Sequence, residues 1–152
     1  MAKKKHPQTK TISNRRARHD YELDDSFVVG IALSGAETKS LRMGHGNLTG
    51  SYVTLKDGEL WLINAAINGT NGITIPPEDQ TRTRKLLAKR REIDNLAAAK
   101  QQGRTIVPLE ILTRGRFIKV RISAGKGKKH YDKRQTLKKR DEMRRIQTAV
   151  RG

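Results

Sequence analysis

Ser51-Tyr-Val-Thr-Leu-Lys-Asp-Gly-Glu-Leu-Trp-Leu-Ile-Asn-Ala-Ala-Ile67 alternates apolar and polar residues on both sides of Asp57-Gly58. Val53 and Leu55 share one side of the first arm, and the second arm resumes at Glu59 and continues to Ile67. Asp-Gly between two alternating runs predicts a hairpin, because both turn residues must tolerate positive φ. The same period-two pattern extends in both directions. Upstream, Phe27, Val29, Ile31 and Leu33 fall on one face of a strand, with Gly30 and Ala32 on the other. Downstream, Thr105 to Leu112 and Phe117 to Ile122 flank a turn at Arg114-Gly115, with Ile118, Val120 and Ile122 aligned. Pro108 has no N–H to give a neighbour, so its strand is predicted to lie at an edge or to carry a bulge.

Two helices are predicted among these strands. The short one spans Glu37 to Met43 and is closed by Gly44. The longer runs from about Arg82 to Gln101, where Leu86, Ile93, Leu96 and Ala97 recur at helical spacing; Thr81 or Asp79 would cap it and Gly103 stop it. Five strands with a helix between the third and fourth is the order of an OB-type barrel, a fold that often binds single-stranded or irregular nucleic acid. The fold expected is mainly β: an OB-like Greek-key barrel with two or three helices and a basic, conditionally helical C-terminal tail. Between Asn68 and Gln80, Gly69, Gly72, Pro76 and Pro77 predict a loop long enough to bind or to move.

Charge divides the chain in three. Of 33 Lys and Arg against 15 Asp and Glu, seven basic residues and no acid fall in residues 1–19, and eleven basic residues with three acids fall in residues 126–152. The central stretch is nearly balanced, so the excess of +18 sits mainly at the two ends. Such ends bury little and repel themselves, and their natural partner is a polyphosphate. The expected layout is a basic, flexible segment over 1–13, an RNA-binding barrel over 14–124, and a basic tail over 125–152 that is disordered when free and helical on its partner. The sequence holds no cysteine, which removes disulfides, thiol chemistry and cysteine-bound zinc or iron–sulfur clusters. Its longest run free of polar side chains, Phe27 to Leu33, is far short of the roughly 20 residues that span a bilayer. After Lys3, Lys4 and Lys5 the chain turns polar instead of apolar, so no secretory signal is read and a cytoplasmic location without membrane contact is expected.

Candidate sites are few. With only six aromatics and no aromatic RNP motif, recognition is expected to lean on phosphate contacts and shape. Gly125-Lys-Gly-Lys-Lys129 lacks the spacing of a nucleotide-binding phosphate loop. His6, His19, His45 and His130 are too scattered for a metal site, and no cofactor is expected. His130 and Tyr131, beside Lys128 and Lys129, are placed to stack on bases as well as to bind charge. Glu37, Asp57 and Glu59 are the only carboxylates worth weighing for catalysis, and none has a recognisable partner, so no enzyme is expected. Glu37 reads instead as an acceptor for a base or ribose hydroxyl, or as a salt bridge to Lys39 or Arg42. In the tail, Asp132 followed by Gln135 resembles a capping box, with Met143, Ile146 and Val150 on one helical face and Asp141 paired with Arg145 at i, i+4. So thin an apolar stripe is marginal in water and needs an anionic partner to order it.

Several stretches together resemble the SsrA-binding protein (small protein B) family. They are Asn14-Arg-Arg-Ala-Arg-His-Asp-Tyr21, Gly35-Ala-Glu-Thr-Lys-Ser-Leu-Arg42, Leu48-Thr-Gly-Ser-Tyr-Val53, Asp57-Gly-Glu-Leu-Trp61, Arg82-Thr-Arg-Lys-Leu-Leu87, Arg91-Glu-Ile93, Thr105-Ile-Val-Pro-Leu109 and Gly125-Lys-Gly-Lys-Lys-His-Tyr-Asp-Lys-Arg134. The likeness implies a non-catalytic, monomeric adaptor that binds the tRNA-like part of transfer-messenger RNA. It implies delivery with elongation factor Tu, acting through the aminoacylated RNA, to stalled ribosomes, where the tail enters the decoding site and the empty mRNA channel. By the same likeness Asn14, Glu37, Lys39, Ser40 and Arg42 form the RNA-binding face of the barrel. Lys89 joins them, standing where the family usually shows His or Asn and reaching a phosphate in its place. His19, Lys126, Lys128, Lys129, His130, Tyr131, Asp132, Lys133 and Arg134 face the small subunit. Ser123-Ala124 replaces a Gly and aliphatic pair, with little consequence expected. A structural ribosomal or rRNA-binding protein is the alternative reading, and a nuclease acting through Glu37 or Asp57 a more distant one.

Overall fold

The computed structural model describes residues 11–128. In chain order its elements are β1 (Ile12–Ser13), α1 (Arg15–Asp20), β2 (Tyr21–Ile31), α2 (Gly35–Arg42), β3 (Gly46–Asn47), β4 (Tyr52–Lys56), β5 (Glu59–Ile63), β6 (Ala66–Ile67), α3 (Pro77–Gln80), β7 (Arg84–Leu87), α4 (Arg90–Gln101), β8 (Thr105–Leu112) and β9 (Lys119–Gly127). Six antiparallel strands close into a ring in the order β8, β4, β5, β7, β2, β9 and back to β8, and β1 adds to the far end of β8. β3 and β6 pair separately. The expected mainly β barrel is therefore present.

The Asp57-Gly58 turn forms as the sequence predicts. Both residues have positive φ, 55° and 73°, and the register between β4 and β5 runs from Lys56–Glu59 to Tyr52–Ile63. Its second arm stops sooner than expected, because Asn64 turns to φ 64° and the chain leaves the ring before resuming as β6. The β8–β9 hairpin also forms, and its register shifts between Pro108 and Glu110, the bulge that a residue without N–H favours.

The long helix predicted from Arg82 is corrected. Its first part is the strand β7, and α4 begins only at Arg90. Arg84 and Leu86 are fully buried, while Lys85 and Leu87 turn outward, a period of two that the spacing of seven between Leu86 and Ile93 disguised. Lys89, not Thr81 or Asp79, is the N-cap residue, and its backbone N–H donates to Glu92 Oε1 at 3.0 Å. The ring accordingly has six strands, not five. Two short helices, α1 and α3, were not foreseen. α3 lies in the stretch read as a plain loop.

The ends of the barrel also differ from the layout expected. β1 draws Ile12 and Ser13 into the sheet through Ile111 and Glu110, and β9 runs to Gly127, so the ordered unit starts before residue 14 and extends past residue 124. Lys129, His130, Tyr131, Asp132, Lys133 and Arg134, with the helix expected after them, lie outside the described residues.

One core fills the ring, around Leu41, Leu60, Leu62, Leu86, Ile106, Ile111, Val120 and Ile122. Each such side chain contributes about 1.5–3 kcal/mol by leaving water. β8 is buried on both faces, since Val107 and Leu109 turn outward beneath α1 and join Ala17, with Tyr21 and Leu23 at the margin. That second cluster seats α1 outside the barrel. Ser123 also has a larger part than expected: its Oγ donates to the Asp24 carbonyl at 2.8 Å, inside the irregular stretch of β2 between Leu23 and Ser26.

Candidate nucleic-acid interface

α2 starts at a capping box. Ser34 Oγ accepts the Glu37 N–H at 3.2 Å, and Glu37 Oε1 accepts the Ser34 N–H at 2.9 Å. The same carboxylate accepts from Arg82 at 2.5 and 3.2 Å and from Arg84 Nε at 2.6 Å. Arg84 is fully buried, and its remaining N–H groups reach the carbonyls of Ala65, Arg82, Asp79 and Gln80. Burial pushes the Glu37 carboxyl up, but Arg82, the Ser34 N–H and Arg84 outweigh it and hold the group below its ordinary value. Burial likewise lowers the Arg84 guanidinium, with Glu37 offsetting part of the fall.

Glu37 is thus engaged within the fold. It is 2% exposed, both oxygens are occupied, and its partners are Arg82 and Arg84 rather than Lys39 or Arg42. It ties α2 to the start of β7, the strand that carries Lys85 and Leu87. Ser40 is buried as well, and its Oγ has no hydrogen-bond partner among the described residues. Arg42 spans from α2 to the β8–β9 turn, donating to the carbonyls of Thr113, Gly115 and Arg116 at 2.9–3.1 Å. Of the four α2 residues expected to meet RNA, Lys39 alone is exposed.

Strands β2, β7 and β9 build an open surface. Gly30 in β2 lies between Lys119 of β9 and Leu87 of β7 in one cross-strand row. A Cβ on Gly30 would meet the Leu87 Cβ at 3.2 Å, so glycine lowers the middle of the row. The resulting cleft, of about 520 Å³, is lined by Val28, Lys85, Leu87, Lys89 and Lys119 together with Glu59 and Glu92. Val28 and Leu87 are unusually exposed for aliphatic residues, 39% and 55%. Aliphatic ground ringed by lysines suits the sugar and base edges of RNA together with its phosphates. Lys89, expected to meet RNA, lines this cleft. Val28, Lys85, Leu87 and Lys119 were missed. Lys85 and Leu87 carried a signal in their two-residue spacing, hidden once the stretch was read as helix.

The opposite end of the β2–β9 ribbon is cationic too. From Gly30–Lys119 to Tyr21–Gly127 the ribbon runs nine residues along β2, roughly 30 Å. There Asn14 caps α1: its Oδ1 accepts the Ala17 N–H at 3.3 Å, and its Nδ2 donates to the Pro108 carbonyl at 2.9 Å. Asn14, expected at the RNA face, is 5% exposed and fixes the helix. His19 Nδ1 lies 2.9 Å from Asp20 Oδ1. The Lys128 N–H donates to the Asp20 carbonyl at 2.8 Å, and its Nζ to the Arg18 carbonyl at 3.3 Å. The fold thus brings His19 beside Lys128, with exposed Lys126 two residues earlier on β9, opposite Glu22. Arg15, Arg16, His19, Ser13 and Thr49 line a shallow depression next to them. Among the described residues no group of three His, Asp or Glu could hold a metal ion, and no helix is long and apolar enough to cross a membrane.

Comparison with known proteins identifies relatives of the whole chain. The sequence model of the family described as SmpB protein matches residues 11–152. The SsrA-binding protein of Pseudomonas putida strain F1 is 49% identical over 155 residues, covering 100% of this chain and 97% of its own. That of Azotobacter vinelandii strain DJ is 47% identical with the same coverage. A solved structure described as "tmRNA-SmpB: a journey to the center of the bacterial ribosome" superposes with a TM-score of 0.65 at 42% identity, over 79% of this chain and 85% of that one.

Proposed function

This chain belongs to the SmpB family, and from that premise we propose that it is an RNA-binding adaptor for trans-translation. It binds the tRNA-like domain of transfer-messenger RNA and delivers it to stalled ribosomes, for rescue and peptide tagging. Elongation factor Tu accompanies the complex through the aminoacylated RNA. The protein works as a monomer, in the cytoplasm, without a catalytic step of its own.

The observation that carries this reading is the row Lys119, Gly30 and Leu87, with Lys85, Lys89 and Val28 around it. It offers three cations and a shallow aliphatic floor on strands that the buried Glu37–Arg84 pair keeps in place. Lys39 adds an exposed cation on α2. At the other end of the ribbon, His19, Lys126 and Lys128 face the small subunit, and the basic tail from Lys129 through Arg134 enters the decoding site and the empty mRNA channel. His130 and Tyr131 stack there on bases, and Asp132 with Lys133 and Arg134 contacts the decoding region.

Affinity capture of the full chain from cells, followed by sequencing of the retained RNA, tests the reading. Transfer-messenger RNA should dominate at low salt and fall away steeply as salt rises, by about 0.7–0.9 log units of affinity per log unit of salt for each phosphate neutralised. Recovery of ribosomal RNA alone, in stoichiometric amount and resistant to high salt, would overturn it.

A further inference from the structure

The β8–β9 turn carries a feature that the cleft does not explain. Phe117 is 68% exposed, the most exposed large apolar side chain among the described residues. The Arg116 guanidinium lies over its ring, 5.5 Å from the centroid. Gly115, at φ 89°, makes the turn, and Arg114 and Arg116 put two exposed cations on it. The turn is held from outside: three of its carbonyls accept from the single guanidinium of Arg42. Phe117 stands two positions before Lys119, the first residue of β9 and part of the cleft lining, with Ile118 between them buried in the core.

An aromatic ring left in water on a fixed turn, with two arginines on that turn and a lysine of the cleft two residues on, has the chemistry of a stacking platform. We infer that Phe117 and Arg116 receive an unpaired base of the bound RNA, with Arg114 and Lys119 on the phosphates to either side. The inference rests on the adaptor reading and deepens it: the cleft takes the backbone and the turn takes one splayed nucleotide. Arg42 is then a positioning residue that acts through the turn it holds.

Stacking is insensitive to salt, whereas phosphate contacts are not, and the test uses that difference. Full-length protein is titrated with the tRNA-like domain of transfer-messenger RNA at several salt concentrations. Phe117→Leu, which keeps the apolar bulk and removes the π-face, should weaken binding about 5- to 150-fold with the salt slope unchanged. Phe117→Trp should retain or exceed the original affinity, and Lys119→Ala should weaken binding with a shallower slope. The exposed position makes misfolding of these variants easy to exclude by thermal unfolding. If Phe117→Leu binds within twofold of the unaltered protein while Lys119→Ala is weakened, the platform is wrong and the cleft stands. If Phe117→Leu keeps its RNA affinity but loses tagging, the ring meets a ribosomal component and the inference is again overturned. Failure of the unaltered protein to bind this RNA at all would instead remove the adaptor reading beneath it.

Discussion

The two ends of the β2–β9 ribbon are both cationic, yet they are built differently. At the Lys119 end, the surface is a row of side chains across three strands, locked from behind by a buried carboxylate with two arginines. At the Gly127 end, the surface hangs on a six-residue helix seated by Ala17 and capped by Asn14, with Lys128 bonded to its carbonyls. Fixed side-chain geometry suits recognition of one folded RNA. Backbone-anchored cations around a short helix suit a surface that meets whatever phosphates the ribosome presents.

Glu37→Ala should break this comparison most severely. It would leave Arg84 charged and unpaired in the interior, a cost of about 3–5 kcal/mol. The denaturation midpoint should fall sharply, and RNA binding should fail through loss of the strand positions. An unaltered midpoint with lost binding would show instead that Glu37 touches RNA directly.

Asn14→Ala acts at the other end. Losing the cap should cost about 0.5–2 kcal/mol, measurable as a lower urea midpoint. RNA affinity should stay unchanged and tagging should decline. Were RNA affinity to drop in step with tagging, the two ends would not be separate.

Lys85→Ala sharpens the comparison by a smaller amount. In the cleft, removing one phosphate contact should reduce the salt slope by about 0.7–0.9, without changing stability. Glu59, 4.0 Å from Lys85 and equally exposed, forms too weak a pair to alter that outcome.

The smallest effect is on pH. Because the folded Glu37 carboxyl is held below its ordinary 4.5, its contribution to stability is complete above that value and is lost as pH falls through the lower, folded value. Urea midpoints taken between pH 6 and pH 3 should therefore decline less steeply for Glu37→Gln than for the unaltered chain. Equal slopes would mean that the carboxylate gains nothing from its arginines.

Much of the barrel was legible because its signals are local. Asp57-Gly58 admits few conformations other than a tight hairpin turn, Pro108 withholds an N–H wherever it sits, and Val29 and Ile31 can share a core only as neighbours in a strand. The stretch from Arg82 to Lys89 was not legible in this way. Arg84 counts as polar in any pattern, yet it is fully buried, because a carboxylate 47 residues away neutralises it. No window along the sequence contains that partner. The site suffered for the same reason: Glu37, Ser40 and Asn14 belong to motifs that resemble an RNA-binding family, yet all three are buried, which no local pattern announces. Phe117 escaped notice because a strand reading gives no reason to leave a large ring in water.

The central claim is that the barrel selects the RNA and the segment beyond Lys128 acts only on the ribosome. A chain ended after Lys128 keeps all of β9, including the pairs of Tyr21 and Glu22 with Gly127 and Lys126, which a cut after Gly125 would destroy. Measured side by side with the full chain, it should bind the tRNA-like domain within about twofold after allowance for the lost charge at high salt, and support no peptide tagging on stalled ribosomes. A tenfold or greater loss of RNA affinity under those conditions, or tagging that persists, would contradict the account.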